Sequence, residues 1–422
     1  MLDIKRIIEN QAEAEAAIGK RGSYSFDKVI GLDRRRRAVI ANVEAKKAER
    51  NSVTQQIAKL KREKADASAL IDDMGKLGAE IKNLDSTLAQ TEEELNALLA
   101  SYPNFPDPDV VAGGKENNEV LDYFGSKPEF GFAFQNHYDL CTKLGLIDYE
   151  RGVKLGGNGY WLYRGMGARL EWALLSYFIE QHIADGYEFI LPPHMLNYRC
   201  GYGAGQFPKF ADEVYWIDGA EGDGQFMLPT AETALVNIFA GEILPEKDLP
   251  VKLFAFTPCY RKEAGSYRSE ERGMIRGHQF NKVEMVQYAH PDKSGASFDE
   301  LVGKARRLVE GLGLHYRLSK LAAGDVSASM ARTYDIEVWL PSMGIYKEVS
   351  SVSNSNDYQA RRNNTRFRDE KTGKPRFVHT LNASGLATSR IIPAIVEQFQ
   401  NADGSVRVPE VLQKYLGVAV IK

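Results

Sequence analysis

In the first hundred residues, apolar positions recur at steps of three and four. The series starts at Ile71 or Met74 and runs through Leu77, Ile81, Leu84, Leu88, Leu95 and Leu98, with Thr91 filling its one gap. That alternation keeps one stripe of a helix against a partner, so the spacing predicts a heptad seam. A weaker seam precedes it at Val39, Val43, Val53, Ile57 and Leu60, and the polar stretch 64–68 between them can turn the chain. Two helices of about 30 residues would form an antiparallel hairpin roughly 45 Å long. Pro103, Pro106 and Pro108 follow and stiffen the exit, because proline cannot continue a helix.

Beyond the prolines the period changes. Residues 167–182 read as an amphipathic helix, and 187–191 as a strand stopped by Pro192-Pro193. The stretches 252–257, 282–288 and 335–340 alternate in the manner of an antiparallel sheet, with helices such as 298–312 between them. No G-x-G-x-x-G or Walker loop occurs. The fold class expected is therefore α+β, not a parallel doubly wound sheet. A long antiparallel helical hairpin over residues 1–105 is followed by a domain of antiparallel sheet and flanking helices over 106–422.

Composition adds little until it is read by region. At 422 residues the chain exceeds one ordinary core, and 43% hydrophobic residues support a large one. A net charge of -3 argues against a generally basic coat. Locally the balance is sharper. Residues 34–64 carry eleven Lys/Arg against three Glu, whereas 70–98 carry seven acids against two Lys. Attraction between the two helices accounts for this, and so does contact of the basic helix with a polyanion; the two are compatible. Cys141, Cys200 and Cys259 are far apart and without metal-ligand spacing, as expected of reduced thiols in a cytoplasmic protein. The N-terminus lacks the apolar segment of a signal peptide, and no apolar run reaches the ~20 residues that span a bilayer.

Candidate chemistry concentrates between Phe256 and Phe280. A strand ending in Arg261-Lys262-Glu263 would put Arg261 and Glu263 on one face, and Arg276 and Phe280 would return on the next strand. Arginine clamps phosphate, a carboxylate accepts from an exocyclic amine and a ring stacks on a base, which together could hold ATP.

These residues resemble motif 2 of the class II aminoacyl-tRNA synthetases. The helix from Gly167 to Pro192-Pro193 resembles motif 1, and 383–390 (Ala-Ser-Gly-Leu-Ala-Thr-Ser-Arg) resembles motif 3. With Thr230-Ala231-Glu232, the stretch 280–284 and Glu348-Val349-Ser350-Ser351 in the same order, the whole chain resembles the bacterial-type seryl-tRNA synthetases.

That resemblance implies a two-step reaction, serine activation by ATP and transfer to tRNA(Ser), with selenocysteine tRNA also a substrate where present. Arg261 is then the contact for the α-phosphate and the serine carboxylate. Glu263 meets the adenine amino group, Phe280 stacks on the ring, Arg276 steadies the bent triphosphate and Arg390 holds the γ-phosphate. Lys262, Val349 and Ser350 belong to the ATP-binding stretches, and Glu348 and Ser351 are the implied Mg²⁺ ligands. Thr230, Ala231, Glu232, Arg261, Glu284, Thr380, Asn382 and Ser384 form the implied serine site. Both reactants of activation are anionic and the attacking carboxylate is already ionised, so neutralisation and positioning suffice without a protein base.

The resemblance also implies a homodimer built on motif 1 and a hairpin that holds the long variable arm of the tRNA. Three stretches depart from the family pattern: Ala383 for glycine, Asn281 for an acid, and Ser269-Glu270-Glu271 in the motif 2 loop. Two rival readings remain, a paralogue that charges a carrier protein and a catalytically inactive RNA-binding relative. The hairpin counts against the first, and Arg261, Glu263, Glu348 and Arg390 against the second.

Overall fold

The computed structural model describes residues 1–217, 224–263 and 273–422. It divides into two compact units. One comprises residues 2–17 and 23–102; the other comprises Met1, 18–22 and 103–422.

The first unit is dominated by helices α1 (Asp27–Arg62) and α2 (Ser68–Ser101), packed as a hairpin. The expected seam forms: Val39 and Val43 of α1 and Leu77, Ile81, Thr91 and Leu95 of α2 are buried. Thr91 fits an apolar seam because its hydroxyl donates to the Thr87 carbonyl at 2.8 Å, within its own helix. Of the two possible first positions, Met74 joins the seam and Ile71 is exposed.

The second unit is built on an eight-stranded sheet. In chain order its strands are β1 (Glu119–Phe124), β2 (Glu188–Ile190), β3 (Val251–Tyr260), β4 (Gln279–Ala289), β5 (Tyr316–Lys320), β6 (Arg332–Leu340), β7 (Ile345–Asn354) and β8 (His379–Ala387). The spatial order is β1-β5-β6-β7-β8-β4-β3-β2, antiparallel throughout except for the parallel edge pair β2–β3. Helices α3 (Gly165–Ala184), α4 (Ser294–Gly311) and α6 (Thr388–Gln398) bury one face, while α5 (Tyr358–Asn363) belongs to the other side. This is the α+β architecture the sequence predicts. The three expected strands extend to 251–260, 279–289 and 332–340, because both faces of the central sheet are covered.

The period of two along β4 organises everything that follows. Val283, Met285 and Ala289 enter the main core, with Asn281 and Gln287 on the same face. Phe280, Lys282 and Glu284 share the opposite face, which continues into a second core at Val286 and Tyr288. On β8, Leu381 and Ala383 enter the main core, so Asn382 and Ser384 take the other face. Ala383 therefore points away from the site implied for its neighbours, and its methyl is fully buried in the core.

Candidate active site

The polar face of β4 and β8 forms the floor of a cavity of ≈430 Å³. Thr230, Glu232, Arg261, Glu263, Arg276, Lys282, Glu284, Glu348, Ser351, Asn382 and Ser384 line it. A smaller extension of ≈50 Å³ shares Arg261, Glu263, Arg276 and Glu348 and adds Phe280, Val349 and Arg390. The two form one cleft, with a deep carboxylate-rich end and an arginine-rich end.

At the deep end, Lys282 Nζ sits 2.5 Å from Glu284 Oε2 and donates to Thr230 Oγ1 at 2.6 Å. Asn382 Nδ2 donates to Glu232 Oε2 at 3.1 Å and to Glu284 Oε1 at 3.2 Å. Burial, then the adjacent Glu284 charge, raises the Glu232 carboxyl to about 7. Asn382 Oδ1 is buried without a partner among the described residues. A buried acceptor beside two carboxylates is a receptor for a small cationic donor.

At the other end, Arg261 places its guanidinium 5.2 Å from the Phe280 ring centroid and donates through Nε to the Pro229 carbonyl at 3.2 Å. The strand expected to carry Arg261 and Glu263 stops at Tyr260. One further pairing holds Arg261: its N–H donates to the His278 carbonyl at 2.9 Å, and its own carbonyl lies 3.0 Å from His278 Nδ1. Glu263 then adopts φ 51° and meets Arg276 at 2.7 Å. Its presence in the cleft thus comes from a left-handed residue, not from strand alternation. Arg276 likewise precedes β4 and is not on it.

Glu348 and Ser351 are three apart on β7 and ought to face opposite ways. They share the cleft because the β6–β7 register shifts between Ile336 and Glu337: Ile336 pairs with Ser350 but Glu337 pairs with Glu348, so Val349 is an extra residue. Burial opposes ionisation of Glu348, but Arg390 and then Arg261 and Lys282 hold its carboxyl below the usual range. Arg390 donates to the Glu348 carbonyl at 2.8 Å. The Ser351 hydroxyl donates to buried Asp335, whose carboxyl is pushed well up by burial and then by Glu348. That leaves the Ser351 oxygen and an ionised carboxylate facing the cleft, a hard oxygen donor pair of the kind Mg²⁺ takes.

The comparisons decide the family. Residues 1–106 match the family model for the seryl-tRNA synthetase N-terminal domain, and 215–399 match the class II core domain model for the G, H, P, S and T synthetases. The chain is 57% identical over 423 residues to serine–tRNA ligase 2 of Clostridium acetobutylicum, covering 99% of both.

The chain belongs to the seryl-tRNA synthetase family.

A second relative, the serine–tRNA ligase of Geobacter sulfurreducens, is 44% identical over 420 residues, covering 99% of both. The crystal structure of seryl-tRNA synthetase from Pyrococcus horikoshii complexed with ATP superposes with a TM-score of 0.93 at 32% identity, covering 100% of this chain and 99% of that one. The cytoplasmic serine–tRNA ligase of Naegleria fowleri in complex with AMP gives 0.88 at 28% identity.

The cleft of this seryl-tRNA synthetase family member gathers most of the residues its sequence nominates, but not all. Lys262 is held by its backbone N–H to the Glu213 carbonyl, Ala231 packs in the second core, and Ser350 donates to the Ser384 carbonyl. None of the three lines the cleft. Thr380 shares the face of Asn382 but is fully buried behind the wall, its hydroxyl engaged by Gln359 and Ser355. Its hydroxyl is engaged away from the cleft, unlike the amide of Asn382 on the same face. Lys282 also lines the cleft, and its position two before Glu284 on one strand is the sequence signal for it. Glu213, Ser327 and Met330 also line the cleft, and no motif marks them. Ser269, Glu270 and Glu271 lie outside the described residues.

Proposed function

We infer that this protein attaches serine to tRNA in an ATP-dependent, two-step reaction: it is a serine–tRNA ligase of class II. The observation that carries this is the polarity of this cleft. Carboxylates and an amide oxygen without a partner among the described residues fill one end, arginines and an aromatic ring fill the other, and Arg261 stands between them. The names of the relatives, serine–tRNA ligases over the full length, agree with it.

On this reading the deep end takes the serine ammonium on Glu232, Glu284 and Asn382, and Ser384 and Glu284 meet the hydroxyl. Thr230 is steadied by Lys282. Arg261 neutralises the serine carboxylate and the α-phosphate together, so two anions can approach. Serine's carboxylate oxygen forms a bond to the α-phosphorus while the bond to pyrophosphate breaks, leaving seryl-adenylate. The terminal ribose hydroxyl of tRNA then attacks the acyl carbon and AMP leaves. Phe280 stacks on adenine and Glu263 accepts from its amino group, with Arg276 and Arg390 along the phosphates. Glu348 and Ser351 would hold Mg²⁺, which when bound neutralises phosphate charge.

The partners follow the same logic. The basic face of α1 suits the long variable arm of tRNA(Ser), and selenocysteine tRNA by the same contact. Apolar Trp172 and Ile183 of α3 and Leu191 beyond it are exposed in the single chain, which supports a homodimer through that face. The three cysteines are free, and Cys141 and Cys259 are buried, which fits a reducing cytoplasm. Among the described residues, no helix is long and apolar enough to cross a membrane. Division of labour places tRNA binding in residues 1–105 and catalysis in 106–422. ATP–pyrophosphate exchange with serine tests the activation step, and sedimentation tests the dimer.

A further inference from the structure

Behind the deep end of the cleft lies a side chain that no motif marks. Gln359, on α5, is 1% exposed and does not line the cleft. Its Nε2 donates to Glu232 Oε1 at 2.8 Å and to the Ala204 carbonyl at 2.9 Å. Its Oε1 accepts from Thr380 Oγ1 at 2.6 Å, and that hydroxyl lies 2.6 Å from Ser355 Oγ. The amide therefore has one orientation. A flipped amide would turn its oxygen toward the Ala204 carbonyl and the Glu232 carboxylate, three acceptors with no proton between them.

We propose that Gln359 is a positioning residue that fixes the rotamer and charge of Glu232 and so sets the affinity for the serine ammonium. It rests on the reading of Glu232 as the ammonium acceptor. Gln359 ties off Oε1, and Asn382 meets Oε2 from the cleft side. The carboxylate plane is thus set from behind, and one oxygen faces the substrate. The amide also stabilises the ionised form of Glu232, against burial and the Glu284 charge that oppose it. Glutamate at position 359 would do the reverse. Two carboxyls in contact share one proton, so the pair's single negative charge is drawn back toward position 359 and away from the ammonium. The remaining charged groups facing Glu232, namely Glu284, Lys282 and Arg261, are unchanged in such a variant. Thr380 is the outer member of the relay and acts only through Gln359.

The test is Q359E in the full chain, read by ATP–pyrophosphate exchange at varied serine and varied ATP. KM for serine is expected to rise about tenfold or more, with KM for ATP changed less than about twofold and the thermal midpoint retained. If Q359E does not fold, T380V carries the test, with a KM shift of a few-fold for serine alone. KM values for serine and ATP that move together, or a serine KM that does not move in a folded variant, would overturn the proposal. The wild-type protein separates this from the parent reading. If wild type shows no serine-dependent exchange, the serine assignment falls; if it exchanges and Q359E keeps its serine KM, only the role of Gln359 falls.

Discussion

The hairpin and the cleft use the same charged residue types in opposite ways. Along the hairpin, Lys46 meets Glu80 at 2.9 Å, Lys47 meets Asp85 at 3.2 Å and Arg36 meets Glu92 at 3.7 Å, and all but Arg36 of these six side chains are more than a third exposed. Such pairs are screened by water and contribute little each. On the proposed reading, tRNA meets these cations through many weak contacts at once. In the cleft, Lys282 and Glu284 meet at 2.5 Å with exposures of 8% and 1%. There a charge costs solvation and is tolerated only when its partners are fixed. On the proposed reading the hairpin can lose one charge and keep working, whereas the cleft cannot.

The largest effect that would sharpen this contrast is expected at Arg261. R261A leaves two anions facing each other across the cleft, and serine-dependent exchange should fall about a thousandfold with the fold intact. A loss under tenfold would break the comparison on the cleft side. Removing the hairpin is the next largest. Residues 18–22 belong to the same compact unit as 103–422, where Arg21 donates to the carbonyls of Ala323 and Val326, so the deletion should spare them. Phe26 and Tyr102 lie 5.0 Å apart ring to ring, so a short glycine-serine linker can replace Asp27–Ser101. Charging of tRNA should drop about a hundredfold or more while exchange changes less than about threefold. Equal loss of both would contradict the division of labour.

A smaller effect follows from Glu232, whose carboxyl titrates at about 7, above its ordinary 4.5. A raised acid is neutral at low pH and ionises as pH rises, so its attraction for an ammonium appears above about pH 7. KM for serine should therefore fall several-fold between about pH 6 and pH 8, and E232Q should flatten that profile. Stability alone cannot assign the titration, because burial also raises Glu171 to about 7. The smallest effect is expected at Lys46. K46A should leave the unfolding midpoint unchanged, weaken tRNA binding less than about tenfold and lower the salt slope by about one. A collapse of binding would mean that the hairpin relies on single charges after all.

The same contrast explains what the sequence reveals. The hairpin is a long periodic element, and its seam is readable residue by residue, down to Thr91. In the sheet, alternation places Lys282 with Glu284 and Asn382 with Ser384 correctly. It fails where the backbone departs from regularity. Glu348 and Ser351 converge only because Val349 is bulged, and Glu263 turns into the cleft only through a positive φ. Neither feature has a periodic signature. Thr380 looks like a wall residue until its hydrogen bond to Gln359 is seen, and Gln359 itself lies in a short helix outside every motif.

Whether one cleft joins serine to ATP is read by ATP–pyrophosphate exchange across the twenty amino acids. Exchange with serine should stand well above background, with weaker or absent exchange for alanine and threonine and none for the rest. No exchange with serine, or equal exchange with alanine, would contradict it.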